Sequence, residues 1–215
     1  MTAPTPVVAH DVDPRAFLIL PELADAVAAL PTHRPLTVAD LDRLPEGPPH
    51  PELIDGVLIV QGSPRPRHAV VVTHLTVSLN RACPPHLQVI PGGLEWVVDD
   101  GTMLVPDLMV YDPALVDPDD GLLAPPLLVV EVLSPTTRRH DLVAKRRAYA
   151  RGGCDRYWIV DPIGPWVLTL ELTDHGSYRA GADLDRHGTL RTATPFPFTL
   201  RVADLEVPDV APPDG

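Results

Sequence analysis

Lysine is nearly missing from this chain: Lys145 is the only one among 215 residues, and sixteen arginines carry the rest of the positive charge. Arginine-rich codon usage would leave one lysine somewhere by chance. Selection would leave one where a compact ammonium with three rotatable donors is needed. Cysteine is scarce as well. Cys83 and Cys154 fit no zinc or redox spacing, which points to reduced thiols in a cytoplasmic protein. No apolar run approaches the roughly 20 residues of a membrane helix. Residues 1–13 carry no basic segment followed by an apolar one, so neither a membrane partner nor secretion is expected. Neither a glycine-rich phosphate loop nor a Ser/His/Asp triad signature is found.

What is present describes a globular chain: 45% apolar residues and a mean hydropathy of +0.06. Its 28 prolines favour many short elements with stiff connections over long helices. The net charge of −12 argues against a polyanionic partner, but the charge is unevenly spread. Between Arg138 and Arg156 seven cations (Arg138, Arg139, Lys145, Arg146, Arg147, Arg151, Arg156) face two acids, Asp141 and Asp155. Phosphate contacts depend on such local clusters. A solvated helix face has the same composition.

Residues 1–31 read as a proline-punctuated extension, 32–207 as one domain and 208–215 as a tail. A short helix is expected at 23–30, and another after Thr37 that Pro45 ends. Residues 52–60 read as two strands turning at Asp55-Gly56, a strong hairpin signal. Val71, Val72, Leu75 and Leu79 recur at helical spacing and predict an amphipathic helix over 67–83. Short strands are expected at 87–90, 94–98, 103–105 and 108–111, then a mobile acidic loop over 112–126. Residues 127–133 have the continuous apolar character of a strand buried on both faces. A helix over 137–151 should end at Gly152-Gly153. Strands follow at 157–160 and 166–172, with an edge strand or ordered tail at 196–202. The order predicts an α/β or α+β core, a mixed sheet with helices.

On a wheel at about 100° per residue, Lys145 falls between Ala148 and Tyr149, in the apolar stripe that should face the sheet, while Arg146 and Arg147 point away. An inward lysine needs a carboxylate, a metal-bound water or a route by which to snorkel. Asp141, one turn earlier, would serve in a purely structural pair. Glu131 ends the buried strand and poses the same problem with opposite sign. Asp107 follows Pro106 at the start of a strand, and Glu52 opens the hairpin. Taken singly these are an ordinary turn residue and an exposed hairpin charge. Together, carboxylates and one lysine at the mouth of a sheet suit Mg²⁺ binding and attack of an activated water on a phosphodiester.

The series Glu52-Leu-Ile-Asp55-Gly56, His68, Pro106-Asp107, Glu131-Val-Leu-Ser134-Pro135-Thr136-Thr137, Asp141, Lys145, Tyr149 and Tyr157-Trp158-Ile-Val-Asp161-Pro162 resembles the Uma family of restriction-endonuclease-like proteins, over about residues 35–205. The resemblance implies the PD-(D/E)XK nuclease fold, a mixed central sheet flanked by helices. It makes Asp107 the "PD" aspartate, Glu131 the acid of the "(D/E)XK" element and Glu52 an additional acid. His68 would lie near the site. Where the fold's usual lysine would stand, this chain has Leu133. The family's helix-borne lysine is then Lys145, and an ammonium is required in a place, not at a sequence offset.

The reading is a DNA endonuclease using Mg²⁺ (or Mn²⁺). Asp107 and Glu131 would bind the metal, and Glu52 and Lys145 would complete the catalytic set. His68, Asp141 and Tyr149 would support them, and Arg138, Arg139, Arg146 and Arg147 would contact DNA. A homodimer is expected from the need to cut two strands. The alternative is a catalytically inactive nucleic-acid- or partner-binding module on the same fold.

Overall fold

The computed structural model describes residues 11–12, 21–45, 47, 50–60, 64–117, 121–134 and 140–207. In chain order the elements begin with β1 (Asp11–Val12), α1 (Pro21–Ala28) and α2 (Val38–Leu41). The hairpin β2 (Glu52–Ile54) and β3 (Val57–Val60) follows, then α3 (Pro66–Ala82). Next come β4 (Gln88–Pro91), β5 (Trp96–Asp99), β6 (Thr102–Leu104), β7 (Leu108–Tyr111), β8 (Val116–Asp117), β9 (Gly121–Leu122) and β10 (Leu128–Val132). A π-helical turn, His140–Lys145, runs directly into α4 (Arg146–Arg151). The chain continues through β11 (Arg156–Asp161), β12 (Trp166–Leu172), β13 (Tyr178–Leu184), β14 (Thr189–Thr192) and β15 (Phe198–Arg201).

Two sheets organise these pieces. The smaller has order β1-β3-β2-β6-β5. The larger has order β13-β12-β11-β10-β7-β4, and only its β10–β11 pair is parallel. A parallel neighbour requires a crossover, and α4 lies in the connection between β10 and β11. On one face of the large sheet, Val71, Leu75 and Leu79 of α3 meet Leu108, Val110, Leu128, Val130 and Val132. Each of the three helical residues is fully buried, worth about 2 kcal/mol by transfer from water. The other face packs Val129, Tyr157 and Ile159 against Ala148 and Tyr149 of α4 and against Ile54, Ile59, Trp96 and Leu104 of the small sheet. The far side of the small sheet is covered by Leu23, Val27 and Leu41 of the first two helices. The molecule is therefore a mixed α+β structure in which the acid-bearing strand β10 is buried at all five positions.

The hairpin forms where expected. Asp55 (φ 51°) and Gly56 (φ 77°) take the left-handed conformation that a two-residue turn demands. Gly56 is doubly required, since a Cβ there would lie 2.5 Å from Pro35 Cβ.

Three expectations are corrected. Residues 112–126 are not a plain loop. Asp112 caps a 3₁₀ turn over Pro113–Leu115, its Oδ1 accepting from Ala114 N–H (2.9 Å), and β8 pairs with β9. Residues 173–192, read without elements, carry β13 and β14. In β13, exposed Arg179, Ala180, Gly181 and Asp183 give no apolar alternation, because it is the edge of the large sheet. Residues 140–145 form a wider π turn, not regular α-helix; the predicted start at 137 lies outside the described residues. Both cysteines are free thiols, and burial pushes that of Cys154 up to about 12.

Candidate active site

Glu131 is the fourth residue of β10, on the face turned to α4, and its side chain is 3% exposed. A carboxylate so far from water has to find donors in the protein. Its Oε1 accepts from Lys145 Nζ at 2.9 Å and from the Tyr149 hydroxyl in a short contact. Lys145 and Tyr149 stand one helical turn apart on one face, which lets a single helix supply both donors. Lys145 Nζ also meets Glu52 Oε2 at 2.9 Å. The other oxygen of Glu52 accepts from Val105 N–H at 2.9 Å. One buried ammonium thus ties an acid of the small sheet to an acid of the large one.

Aromatic packing fixes the hydroxyl donor. Trp96 stacks on Tyr149 with ring centroids 5.9 Å apart and planes 5° from parallel, and Tyr157 tilts against it at 4.9 Å. Burial, and then the negative charges of Glu131 and Glu52, holds the Tyr149 hydroxyl well above its ordinary value, so it stays a donor. Behind the stack, a Cβ at Gly152 would come within 2.6 Å of the Trp96 ring.

Asp107 precedes β7. The β7–β10 ladder ends at the pair of Leu108 with Val130, and Asp107 and Glu131 are the next residues along the two chains. Asp107 Oδ2 accepts from Val132 N–H at 2.7 Å, the amide that β7 is too short to satisfy, and contacts His68 Nε2 at 3.0 Å. A carboxylate oxygen only accepts, so the donor to it is His68 Nε2–H. His68 lies in the first turn of α3. The Asp107 side chain is 24% exposed. This is the site's open side.

The Uma2 family model, described as "Putative restriction endonuclease", matches residues 38–206. The chain belongs to the Uma2 family. Its fold is similar to the crystal structure of "a putative nuclease belonging to DUF820 from Anabaena variabilis ATCC 29413", with a TM-score of 0.64. That similarity covers 80% of the Uma2 chain and 97% of the other at 20% identity, a likeness of fold. No curated protein matches.

In the Uma2 chain Glu131 Oε1 accepts from Lys145 and Tyr149, and Asp107 Oδ2 from Val132 N–H and His68. Two hard carboxylates on adjacent strands fit an oxygen-ligated ion such as Mg²⁺ or Mn²⁺, which takes one or two protein carboxylates and fills its remaining positions with water. Among the described residues there is no group of three or more His, Cys, Asp or Glu that could hold a metal ion.

The structure brings Glu52, Glu131, Lys145 and Tyr149 into one cluster and His68 with Asp107 into a second beside it. Arg138, Arg139 and the Asp141 side chain lie outside the described residues. Of the other basic residues, Arg147 is exposed, while Arg146 is half-buried and donates to Tyr178 O at 3.1 Å. Arg151 is engaged by Asp99 (2.8 Å), Asp55 (3.0 Å) and Thr102 Oγ1 (2.7 Å). Sequence reasoning missed three supports: the amides of Val105 and Val132, and Trp96. Backbone donors leave no trace in side-chain spacing. Trp96 carried a signal, a large aromatic at the head of a short strand, but its partner was 53 residues away. Leu133 is 3% exposed and packs in the core on the α4 side, so no ammonium fills that position.

Proposed function

We propose that this Uma2 chain is a nuclease that hydrolyses phosphodiester bonds of DNA with Mg²⁺ or Mn²⁺. The observation that carries the reading is the buried Glu52–Lys145–Glu131 bridge, with Asp107 just beyond the end of the β7–β10 ladder and partly open to solvent. Asp107 and Glu131 would hold the ion. When bound, the ion would supply a water ionised near neutral pH and would offset charge on the phosphate. Glu52 keeps Lys145 in place from the small sheet. Tyr149 and His68 orient the two acids, and such outer partners typically set ligand geometry and basicity. Exposed Arg147 is on the solvent side of α4, where it would meet backbone phosphates; Arg138 and Arg139 would extend that cation set. A local cluster is what lets a chain of net charge −12 approach a polyanion.

The test is nicking of supercoiled plasmid by purified protein with Mg²⁺ or Mn²⁺. Metal-dependent nicking that Glu131→Ala and Lys145→Met abolish is expected. Equal inertness of wild type and both variants across metals and substrates would instead favour a silent binding module, visible as salt-sensitive DNA binding without metal.

A further inference from the structure

We propose that Lys145 is the resident counter-cation of this carboxylate site: its ammonium competes with a divalent ion for Glu131, and Glu52 is where it is retained when Glu131 is shared. The inference rests on the metal-binding reading above and gives Lys145 a role opposite in sign to a helper in metal capture.

Lys145 and both glutamates are almost wholly excluded from water. Charges in such a pocket interact through a lower effective dielectric than in solvent, so their signs matter. An ammonium 2.9 Å from Glu131 Oε1 partly neutralises that acid and repels any second cation brought to it. Binding that requires the ammonium to yield is weakened by the fraction of time the site is so occupied.

The second acid explains how the ammonium could yield without being stranded. Glu52 is anchored on the small sheet, with one oxygen held by Val105 N–H and the other already 2.9 Å from Lys145 Nζ. A lysine drawn back from Glu131 therefore keeps a charged partner inside the pocket. No such retainer would be needed by an ammonium serving one acid only. Tyr149, its ring stacked on Trp96, donates to the same Glu131 oxygen. An incoming phosphate would offer Lys145 a third anion. Substrate and divalent ion should then bind with positive coupling, each relieving the other's competitor.

The test is calorimetric titration of Mn²⁺, without DNA, at pH 8 into full-length wild type, Lys145→Met, Glu52→Gln and the double variant Glu52→Gln/Lys145→Met. Thermal melts of each establish folding. Lys145→Met is expected to bind Mn²⁺ about tenfold more tightly or better, as for an ammonium present on Glu131 some nine-tenths of the time. The double variant loses one charge of each sign, so it decides the matter if the single variant does not fold; it too should bind more tightly than wild type. Glu52→Gln should bind no more tightly than wild type, because Lys145 is then left to Glu131 alone. If wild type binds Mn²⁺ and removal of Lys145 leaves affinity equal or lower in the folded variants, the counter-cation role is overturned while the metal site stands. If wild type and variants all fail to bind, the metal reading itself falls and carries this inference with it.

Discussion

Glu131 of β10 and Asp107, just before the neighbouring strand β7, are held in different ways. Glu131 is sealed from water and gripped by two side chains of one helix, Lys145 and Tyr149. Asp107 is partly open and is held by a backbone amide and by His68 of a different helix. The sealed acid is part of the joint between two sheets, so its chemistry and the fold's stability share the same contacts. The open acid can change its partner without disturbing the core. A site built this way separates an anchor from a point of access.

Breaking the anchor should cost the most. Lys145→Met leaves two buried glutamates without their ammonium and is expected to lower unfolding free energy by about 3–5 kcal/mol, read from urea denaturation. Tyr149→Phe keeps the stack on Trp96 but removes one donor to a buried carboxylate. A loss of about 2 kcal/mol is expected, with metal affinity reduced about 10- to 100-fold, measured by denaturation and calorimetry. On the open side, Asp107→Asn retains an acceptor for Val132 N–H. Its stability cost should be only about 1 kcal/mol, while nicking activity falls by at least about 100-fold. Comparable destabilisation by Lys145→Met and Asp107→Asn would erase the distinction between anchor and access.

The smallest effect lies away from both acids and serves as their control. Asp40 accepts from Arg34 at 2.7 and 2.8 Å and from Thr37 N–H at 2.8 Å. The hydrogen bond from Arg34, followed by that from the Thr37 amide, holds its carboxyl well below the usual carboxylate range. A depressed folded-state value means that the stabilisation is present above about pH 4, the unfolded value, and is lost as pH falls towards the folded one. The stability gap between wild type and Asp40→Asn should therefore shrink on acidification below about pH 4, followed by urea midpoints. No change in metal affinity is expected.

Much of this was readable from the residues, for identifiable reasons. Asp55-Gly56 marked its hairpin because few residues tolerate positive φ. The unbroken apolar run ending in Glu131 marked a buried strand because only a doubly covered strand drops its polar alternation. The inward position of Lys145 followed from helical periodicity, and its burial agrees, although the turn preceding it is π-helical. Periodicity carries no mark of that widened turn. Nor did it reveal the separation into two sheets, which depends on pairings such as Leu53 with Met103 that no local pattern encodes. The edge strand β13 escaped for the converse reason, being too polar and too small in its side chains to look like sheet.

Gly152, beyond the end of α4, has an influence out of proportion to its distance from the acids. Its backbone is ordinary (φ −73°), so the conformation itself does not demand glycine; the indole ring pressed against it does. Even alanine there would act as a wedge, levering the indole off the phenol ring and tilting the hydroxyl away from the glutamate. A remote, chemically inert position could in this way detune the reactive centre while every polar group in it stayed intact.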